Sequence, residues 1–104
     1  MTIEEITVEQ LKTLLDEKAD ISLIDVREED EYAVTNIKQA TLLPLSRFAE
    51  LAVTLDKSKA YVIHCKLGGR SAQATHYLLD QGFKSVKNVI GGITAWDAAG
   101  YNAV

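Results

Sequence analysis

AYVIHCKLGGRSAQATHYLLDQG, residues 60–82, contains a strand pattern and a helix pattern joined by a short turn. Residues 60–64 form a short apolar run that includes valine and isoleucine, which is typical of a buried strand. Residues 71–81 carry apolar side chains at helical spacing, and Gly82 follows as the expected stop. A buried strand that leads directly into a helix predicts an α/β layer fold.

Strand and helix patterns alternate through the rest of the chain. Thr7 and Gln10 have the spacing of a capping box, which predicts the start of a helix. Short strands rich in Val and Ile that alternate with helices predict a mainly parallel sheet. The predicted helices cover residues 8–17, 28–33, 46–52, 71–81 and 93–98, with Ser46 as a cap and Trp96 as a core anchor, and the predicted strands cover residues 21–26, 41–43, 60–64 and 86–90.

The composition fits one domain, residues 1–104, in a reducing compartment. A chain of 104 residues is long enough for one domain and too short for two. The net charge of -4 argues against a nucleic-acid partner, which would favour a basic face. The N-terminus lacks a secretory pattern and no apolar stretch reaches membrane length, so we expect a cytoplasmic protein without a membrane partner. The single cysteine, Cys65, excludes an internal disulfide and a cysteine-rich zinc site, and we expect no metal and no cofactor.

The acidic run Glu28-Glu29-Asp30-Glu31 has two interpretations. Carboxylates are favoured at helix N-termini, so the run fits a solvated first helical turn. The alternative is a docking patch for a basic partner. We adopt the first interpretation, because charge runs usually lie on solvated faces.

The turn after residue 64 carries the chemistry of the chain. Ligand sites in open α/β sheets lie beyond the carboxyl ends of the strands, where Cys65 is placed. Gly68 and Gly69 permit a concave nest of main-chain N–H groups. The helix N-terminus, together with Lys66 and Arg70, adds positive charge. These groups favour a thiolate, so the sequence predicts a nucleophilic cysteine with a lowered pKa. An inert buried thiol is the alternative, but it leaves the Gly-Gly-Arg-Ser sequence unexplained.

These residues resemble the rhodanese-like domains, in which a catalytic cysteine opens a loop of the form Cys-x-x-Gly-x-Arg followed by Ser or Thr. Here the loop runs from Cys65 to Arg70, and Ser71 follows it. The sequence of residues 64–71 also resembles the rhodanese domains that are fused to activating enzymes of sulfur-carrier proteins.

The resemblance extends over nearly the whole chain. Residues 24–27, Ile-Asp-Val-Arg, resemble the first family signature, and residues 31–32 and 40–44 match the stretch that follows it. Residues 89–96, with two glycines and a tryptophan, resemble the C-terminal signature. One segment departs from the family: residues 35–40 read Thr-Asn-Ile-Lys-Gln-Ala, where Gly-His-Ile-x-Gly-Ala is common.

The resemblance implies a mainly parallel sheet of about five strands, flanked by helices on both faces, and a sulfurtransferase reaction. The Cys65 thiolate takes the outer sulfur of thiosulfate, or of a donor persulfide, and holds it as Cys65-S-SH. Cyanide in an assay, or a thiol or a sulfur-relay or sulfur-carrier protein in a cell, then removes it. The chain has no second cysteine, so sulfur must leave directly to an external acceptor. The loop amides stabilise the charged sulfur. The residues expected to bind the small sulfur-containing anion are Lys66, Leu67, Gly68, Gly69, Arg70 and Ser71.

The other side chains near the loop either bind the donor or brace the structure. Arg70 either binds the donor anion with its planar guanidinium group or turns inward and braces the loop against a carboxylate. Lys66 either attracts the donor or is a solvated loop lysine. We expect Asp25 and Arg27 to brace the structure. His64 is adjacent to Cys65 on a strand, where neighbouring side chains point to opposite faces, so we expect it to be structural.

Two other functions share this fold and loop. Related cell-cycle phosphatases, and arsenate reductases, also use a loop from cysteine to arginine, but the phosphatases have five residues between the two. The four residues 66–69 make a smaller cradle, which suits one sulfur better than a phosphate. A non-enzymatic sulfur carrier or interaction module is the other alternative, although such modules usually lack the cysteine.

Overall fold

The computed structural model describes residues 2–101 as five strands, five α-helices and a short 3-10 helix. Among these residues no helix is both long and apolar enough to cross a membrane. In chain order the elements are β1 (Glu4–Ile6), α1 (Val8–Asp16), β2 (Ser22–Asp25), α2 (Glu29–Val34), β3 (Thr41–Leu42), the 3-10 helix (Leu45–Arg47), α3 (Phe48–Ala52), β4 (Ala60–His64), α4 (Gly69–Asp80), β5 (Ser85–Val89) and α5 (Gly92–Ala98).

The five strands form one sheet in the order β1-β5-β4-β2-β3, and every pair is parallel. This arrangement confirms the predicted α/β fold with a parallel sheet of five strands. The central strand, β4, pairs His64 with Asp25 of β2 and Ile63 with Asn88 of β5. The carboxyl ends of three strands therefore meet at one edge, directly before the segment that begins at Cys65.

Helices cover both faces of the sheet, as expected. Alternate residues of each strand point to opposite faces, so each strand contributes to two apolar clusters. Helices α3 and α4 cover one face, with a cluster that includes Ile24, Phe48, Ile63, Ala74, Leu78 and Val86. Helices α1 and α5 cover the other face, with a cluster that includes Leu11, Leu23, Val62, Val89, Ile93 and Trp96.

Three local features differ from the sequence predictions. Strand β1 was not predicted, because a three-residue strand with two glutamates has no clear period and forms only by pairing with β5. Ser46 does not cap a helix: it lies in the 3-10 helix, and its hydroxyl donates to Glu28 Oε1 at 2.6 Å. Helix α4 begins at Gly69 rather than at residue 71. The predicted capping box of α1 is present, since Gln10 N–H donates to Thr7 Oγ1 at 3.1 Å.

Candidate active site

The sulfur of Cys65 lies at the base of the loop that joins β4 to α4. The main-chain N–H of Gly68 donates to Cys65 Sγ at 3.0 Å, and the hydroxyl of Ser71 lies 3.3 Å from the same sulfur. Gly68 has a φ of +114° and is the N-cap of α4, a conformation that side chains with a Cβ rarely adopt. This backbone conformation turns the loop back over the thiol.

The environment of Cys65 lowers the pKa of its thiol below the ordinary value. Burial acts in the opposite direction, since the residue is only 1% exposed and a buried thiolate is poorly solvated. The Ser71 hydroxyl and the main-chain N–H groups of Ser71, Gly68 and Leu67 outweigh burial, because each donates to the charged form. The site can therefore hold a sulfur anion without a metal or a second thiol.

Helix α5 binds the carbonyl groups of two loop residues, Cys65 and Lys66. The N–H of Ile93 donates to the Cys65 carbonyl at 2.9 Å, and the N–H of Thr94 donates to the Lys66 carbonyl at 3.1 Å. This contact requires glycine at residue 92, where φ is +56°. A Cβ there would overlap the carbonyl oxygen of Cys65 and lie 2.6 Å from that of Lys66.

Arg70 braces the loop against a carboxylate, which is one of its two expected orientations. Its two terminal nitrogens meet both oxygens of Glu31 in α2, at 2.6 Å and 2.9 Å. This hydrogen-bonded contact lowers the pKa of Glu31 to about 2, although partial burial acts against it. Glu31 raises the pKa of Arg70 in turn. The bidentate pair fixes the end of the loop to α2.

Asp25, Arg27 and His64 form a buried polar group on the α1 and α5 side of the sheet. Arg27 Nη2 donates to Asp25 Oδ2 at 2.8 Å and to the carbonyl of Thr35 at 2.8 Å. His64 is fully buried, with Nε2 3.7 Å from Asp25 Oδ2. Burial lowers the pKa of His64, and this exceeds the raising effect of Asp25. The imidazole therefore stays neutral and points away from the Cys65 side of the sheet, so none of these three side chains reaches the sulfur.

The remaining loop residues lie at the surface. Lys66 and Gly69 are exposed, and Leu67 is 67% exposed. The side chains of Lys66 and Leu67 are thus in solvent, while the main-chain N–H of Leu67 contributes to the cradle around the sulfur. The structure brings Cys65, Gly68 and Ser71 together, whereas Lys66 is a solvated cation within the loop.

Sequence reasoning missed three residues that shape the loop: Glu31, Gly92 and Asn88. The sequence pattern places Glu31 in a solvated acidic run, but only Glu29 and Asp30 of that run are exposed. No local signal links Glu31 to Arg70, which is 39 residues away. Asn88 left a usable signal, since it alternates with Val86 and Ile90 on one strand face, and a buried polar side chain there requires a hydrogen-bond partner.

The segment that departs from the family pattern keeps an ordered turn. Asn36 Nδ2 donates to the carbonyl of Tyr32 at 3.1 Å, and the N–H of Ala40 donates to the carbonyl of Ile37 at 2.9 Å. Ile37 is 1% exposed and packs in the α1 and α5 cluster. The turn thus forms without the two glycines.

Known proteins resemble this chain in both sequence and structure. YtwF of Bacillus subtilis is 43% identical over 97 residues, which cover 93% of each chain. Thiosulfate sulfurtransferase GlpE of Coxiella burnetii is 36% identical over 81 residues, 78% of this chain and 76% of GlpE. The crystal structure of a rhodanese-related protein from Thermoplasma volcanium matches with a TM-score of 0.86 and 31% identity over 97% of both chains.

The model of the rhodanese-like domain family matches residues 7–99, which is most of the chain and includes every element from α1 to α5. The sequence signatures, the parallel sheet and the loop after β4 agree with that match. The chain therefore belongs to the rhodanese-like domain family.

Proposed function

We propose that the chain is a sulfurtransferase that carries sulfur on Cys65 as a persulfide. Cys65 thiolate attacks the outer sulfur of thiosulfate, the S–S bond of thiosulfate breaks, and sulfite leaves with the bonding electron pair. Cyanide or a thiolate then attacks the outer sulfur of the persulfide, and the Cys65 thiolate is the leaving group. A donor persulfide can replace thiosulfate in the first step, with its thiolate as the leaving group.

One observation supports the proposal more than any other: two hydrogen-bond donors meet the sulfur of Cys65. The N–H of Gly68 and the hydroxyl of Ser71 stabilise the attacking thiolate, and they are already in place before a donor binds. Preorganised donors of this kind stabilise developing charge without reorganisation. Relatives named as sulfurtransferases, such as GlpE, support this class of reaction in general.

The burial of Cys65 favours a small donor. With the residue only 1% exposed, a compact anion such as thiosulfate fits the approach to the sulfur better than a bulky molecule. Exposed Lys66 raises the local concentration of anions through its positive charge. The single cysteine makes the acceptor external, and we propose a small thiol or a sulfur-relay or sulfur-carrier protein in the cell.

Mass spectrometry of the intact protein tests the proposal directly. After incubation with thiosulfate, wild-type protein should gain the mass of one sulfur atom, and cyanide should remove it as thiocyanate. Cys65→Ser should gain nothing, because the oxygen cannot form a persulfide. Equal thiocyanate production by wild type and Cys65→Ser would contradict the proposal.

An aryl phosphate assay on the same preparation separates sulfur transfer from the phosphatase alternative. Four residues lie between Cys65 and Arg70, and the guanidinium of Arg70 is already engaged by Glu31. We therefore expect sulfur transfer without phosphate release. The assignment would change to a phosphatase if the wild type released phosphate, Cys65→Ser did not, and no persulfide formed.

A further inference from the structure

Asn88 forms hydrogen bonds both to the edge strand β1 and to the middle of the loop that follows Cys65. It lies in β5 on the same face as Val86, which is the face covered by α4. The residue is 1% exposed. Its Nδ2 donates to Oε2 of Glu5 at 2.8 Å and to the carbonyl oxygen of Gly68 at 3.3 Å.

This contact holds Gly68, whose own N–H donates to Cys65 Sγ at 3.0 Å. The main-chain donors to the sulfur are the N–H groups of Leu67, Gly68 and Ser71, so Asn88 acts on the cradle through the position of Gly68. Helix α5 acts in the same way on the carbonyls of Cys65 and Lys66. Together the three contacts attach the cysteine loop to β5 and α5.

We propose that Asn88 is a positioning residue of the sulfur-transfer reaction: by binding the carbonyl of Gly68, it holds that residue in place and keeps the Gly68 N–H directed at the sulfur of Cys65. The inference deepens the proposed function and rests on it for its place in a reaction, whereas its effect on the thiol can be measured without sulfur transfer.

The contacts of Asn88 are poorly explained by stability alone. Among residues 2–101 its Oδ1 has no hydrogen-bond partner, although it is buried. A buried polar atom without a partner destabilises the folded state, so an apolar side chain of similar size would serve stability at least as well. The carbonyl of Gly68 also keeps two other donors, the N–H of Ala72 at 3.0 Å and the hydroxyl of Ser71 at 3.2 Å. Those two donors belong to α4, so the distinct contribution of Asn88 is to attach Gly68 to the sheet.

The test measures the reaction of Cys65 with iodoacetamide over a pH series in the full chain, together with the thermal midpoint. In Asn88→Leu we expect a thermal midpoint close to that of the wild type. The alkylation rate at neutral pH should fall about three- to tenfold, the loss equivalent to one hydrogen bond, and the pH profile should move to higher pH. Asn88→Ala should show the same shift in the profile.

Two control variants separate orientation from general destabilisation. Glu5→Gln keeps an oxygen that accepts from Asn88 and should keep the wild-type rate and profile. Tyr61→Phe removes another buried contact to a main-chain carbonyl, since the Tyr61 hydroxyl donates to Asp56 at 2.9 Å, far from the loop. It should leave the alkylation profile unchanged, even if the thermal midpoint falls.

Wild-type rate and pH profile in both Asn88→Leu and Asn88→Ala would overturn the proposal. A profile in Tyr61→Phe that moves as far as in Asn88→Leu would overturn it as well, because loss of stability would then explain the shift. If Leu does not fit and the protein unfolds, the Ala variant decides by the same criterion. If Asn88→Leu and Asn88→Ala show the expected shift but the wild-type chain forms no persulfide, the proposed function is refuted. The effect of Asn88 on the Cys65 thiol would still stand.

Discussion

Ser71→Ala should raise the pKa of the Cys65 thiol without disrupting the fold. The Ser71 hydroxyl has one proton and two acceptors within reach, Cys65 Sγ at 3.3 Å and the carbonyl of Gly68 at 3.2 Å. When the thiol ionises, the proton turns to the sulfur, because a charged acceptor binds it more strongly. Alanine removes this donor from the thiolate and leaves the carbonyl of Gly68 with its main-chain donor from Ala72.

The expected magnitude follows from the strength of that hydrogen bond. Hydrogen bonds to charged groups contribute about 1.5–3 kcal/mol, and we take about 1 kcal/mol because the acceptor is a large sulfur and the distance is long. Since one pKa unit corresponds to about 1.36 kcal/mol, the thiol pKa should rise by about 0.7. At a pH well below the thiol pKa, the thiolate fraction and the alkylation rate should then fall about fivefold.

Thr75→Val is the matched control. Thr75 lies one turn further along α4, is fully buried, and its hydroxyl donates to the carbonyl of Ser71 at 2.8 Å without reaching the sulfur. Both substitutions delete one buried hydroxyl from the same helix. The pH dependence of iodoacetamide alkylation should shift in Ser71→Ala and stay unchanged in Thr75→Val. An unshifted profile in Ser71→Ala, or an equal shift in both variants, would refute the reasoning.

Three further predictions concern stability and access. Glu31→Gln should lower the free energy of unfolding at pH 7 by about 1–2 kcal/mol, measured by urea denaturation, because a partly exposed bidentate pair with Arg70 is lost. Since folding lowers the pKa of Glu31 from 4.5 to about 2, its stabilisation is complete above pH 4.5 and disappears as the pH falls through 2. Gly92→Ala should destabilise the fold by about 3 kcal/mol, because its Cβ meets the carbonyls of Cys65 and Lys66. Methyl methanethiolsulfonate should modify Cys65 faster than its benzyl analogue does, when each rate is divided by the rate of the same reagent with glutathione. The smaller reagent is favoured because Cys65 is 1% exposed.

Each of these predictions has a control in the chain or in the reagent. Glu50→Gln breaks an exposed pair with Arg47 and should cost less stability than Glu31→Gln; equal losses would contradict the argument. Gly69→Ala adds a Cβ with no atom within 4 Å, so it should be nearly neutral, and a loss as large as that of Gly92→Ala would show that the contact is unimportant. Equal relative rates for the two thiosulfonates would show that access to the sulfur is open.

The sequence predicted the parts of the fold that local patterns determine. The strand over residues 60–64 and the capping box at Thr7 have signals within a few residues, and both are present. The conformation of Gly68 and the hydrogen bond from its N–H to the sulfur follow the predicted nest. These features depend on backbone preferences that neighbouring residues set.

Contacts between distant segments could not be predicted in the same way. The pair of Arg70 with Glu31 and the contact of Gly92 with the Cys65 carbonyl depend on how α2 and α5 pack against the sheet. The pattern of Glu31 is equally compatible with a solvated helical turn, which was the interpretation adopted. Strand β1 likewise becomes recognisable only when β5 supplies the groups that it pairs with.

The dependence of the loop on α5 has a consequence for biosynthesis. The carbonyls of Cys65 and Lys66 receive their donors from Ile93 and Thr94, which leave the ribosome almost thirty residues after the cysteine. A nascent chain that ends at residue 90 contains the thiol but lacks the groups that shape its surroundings. We expect the pH profile of alkylation in ribosome-bound chains of increasing length to move to lower pH only once α5 has emerged, because the lowered pKa of the Cys65 thiol depends on the folded loop.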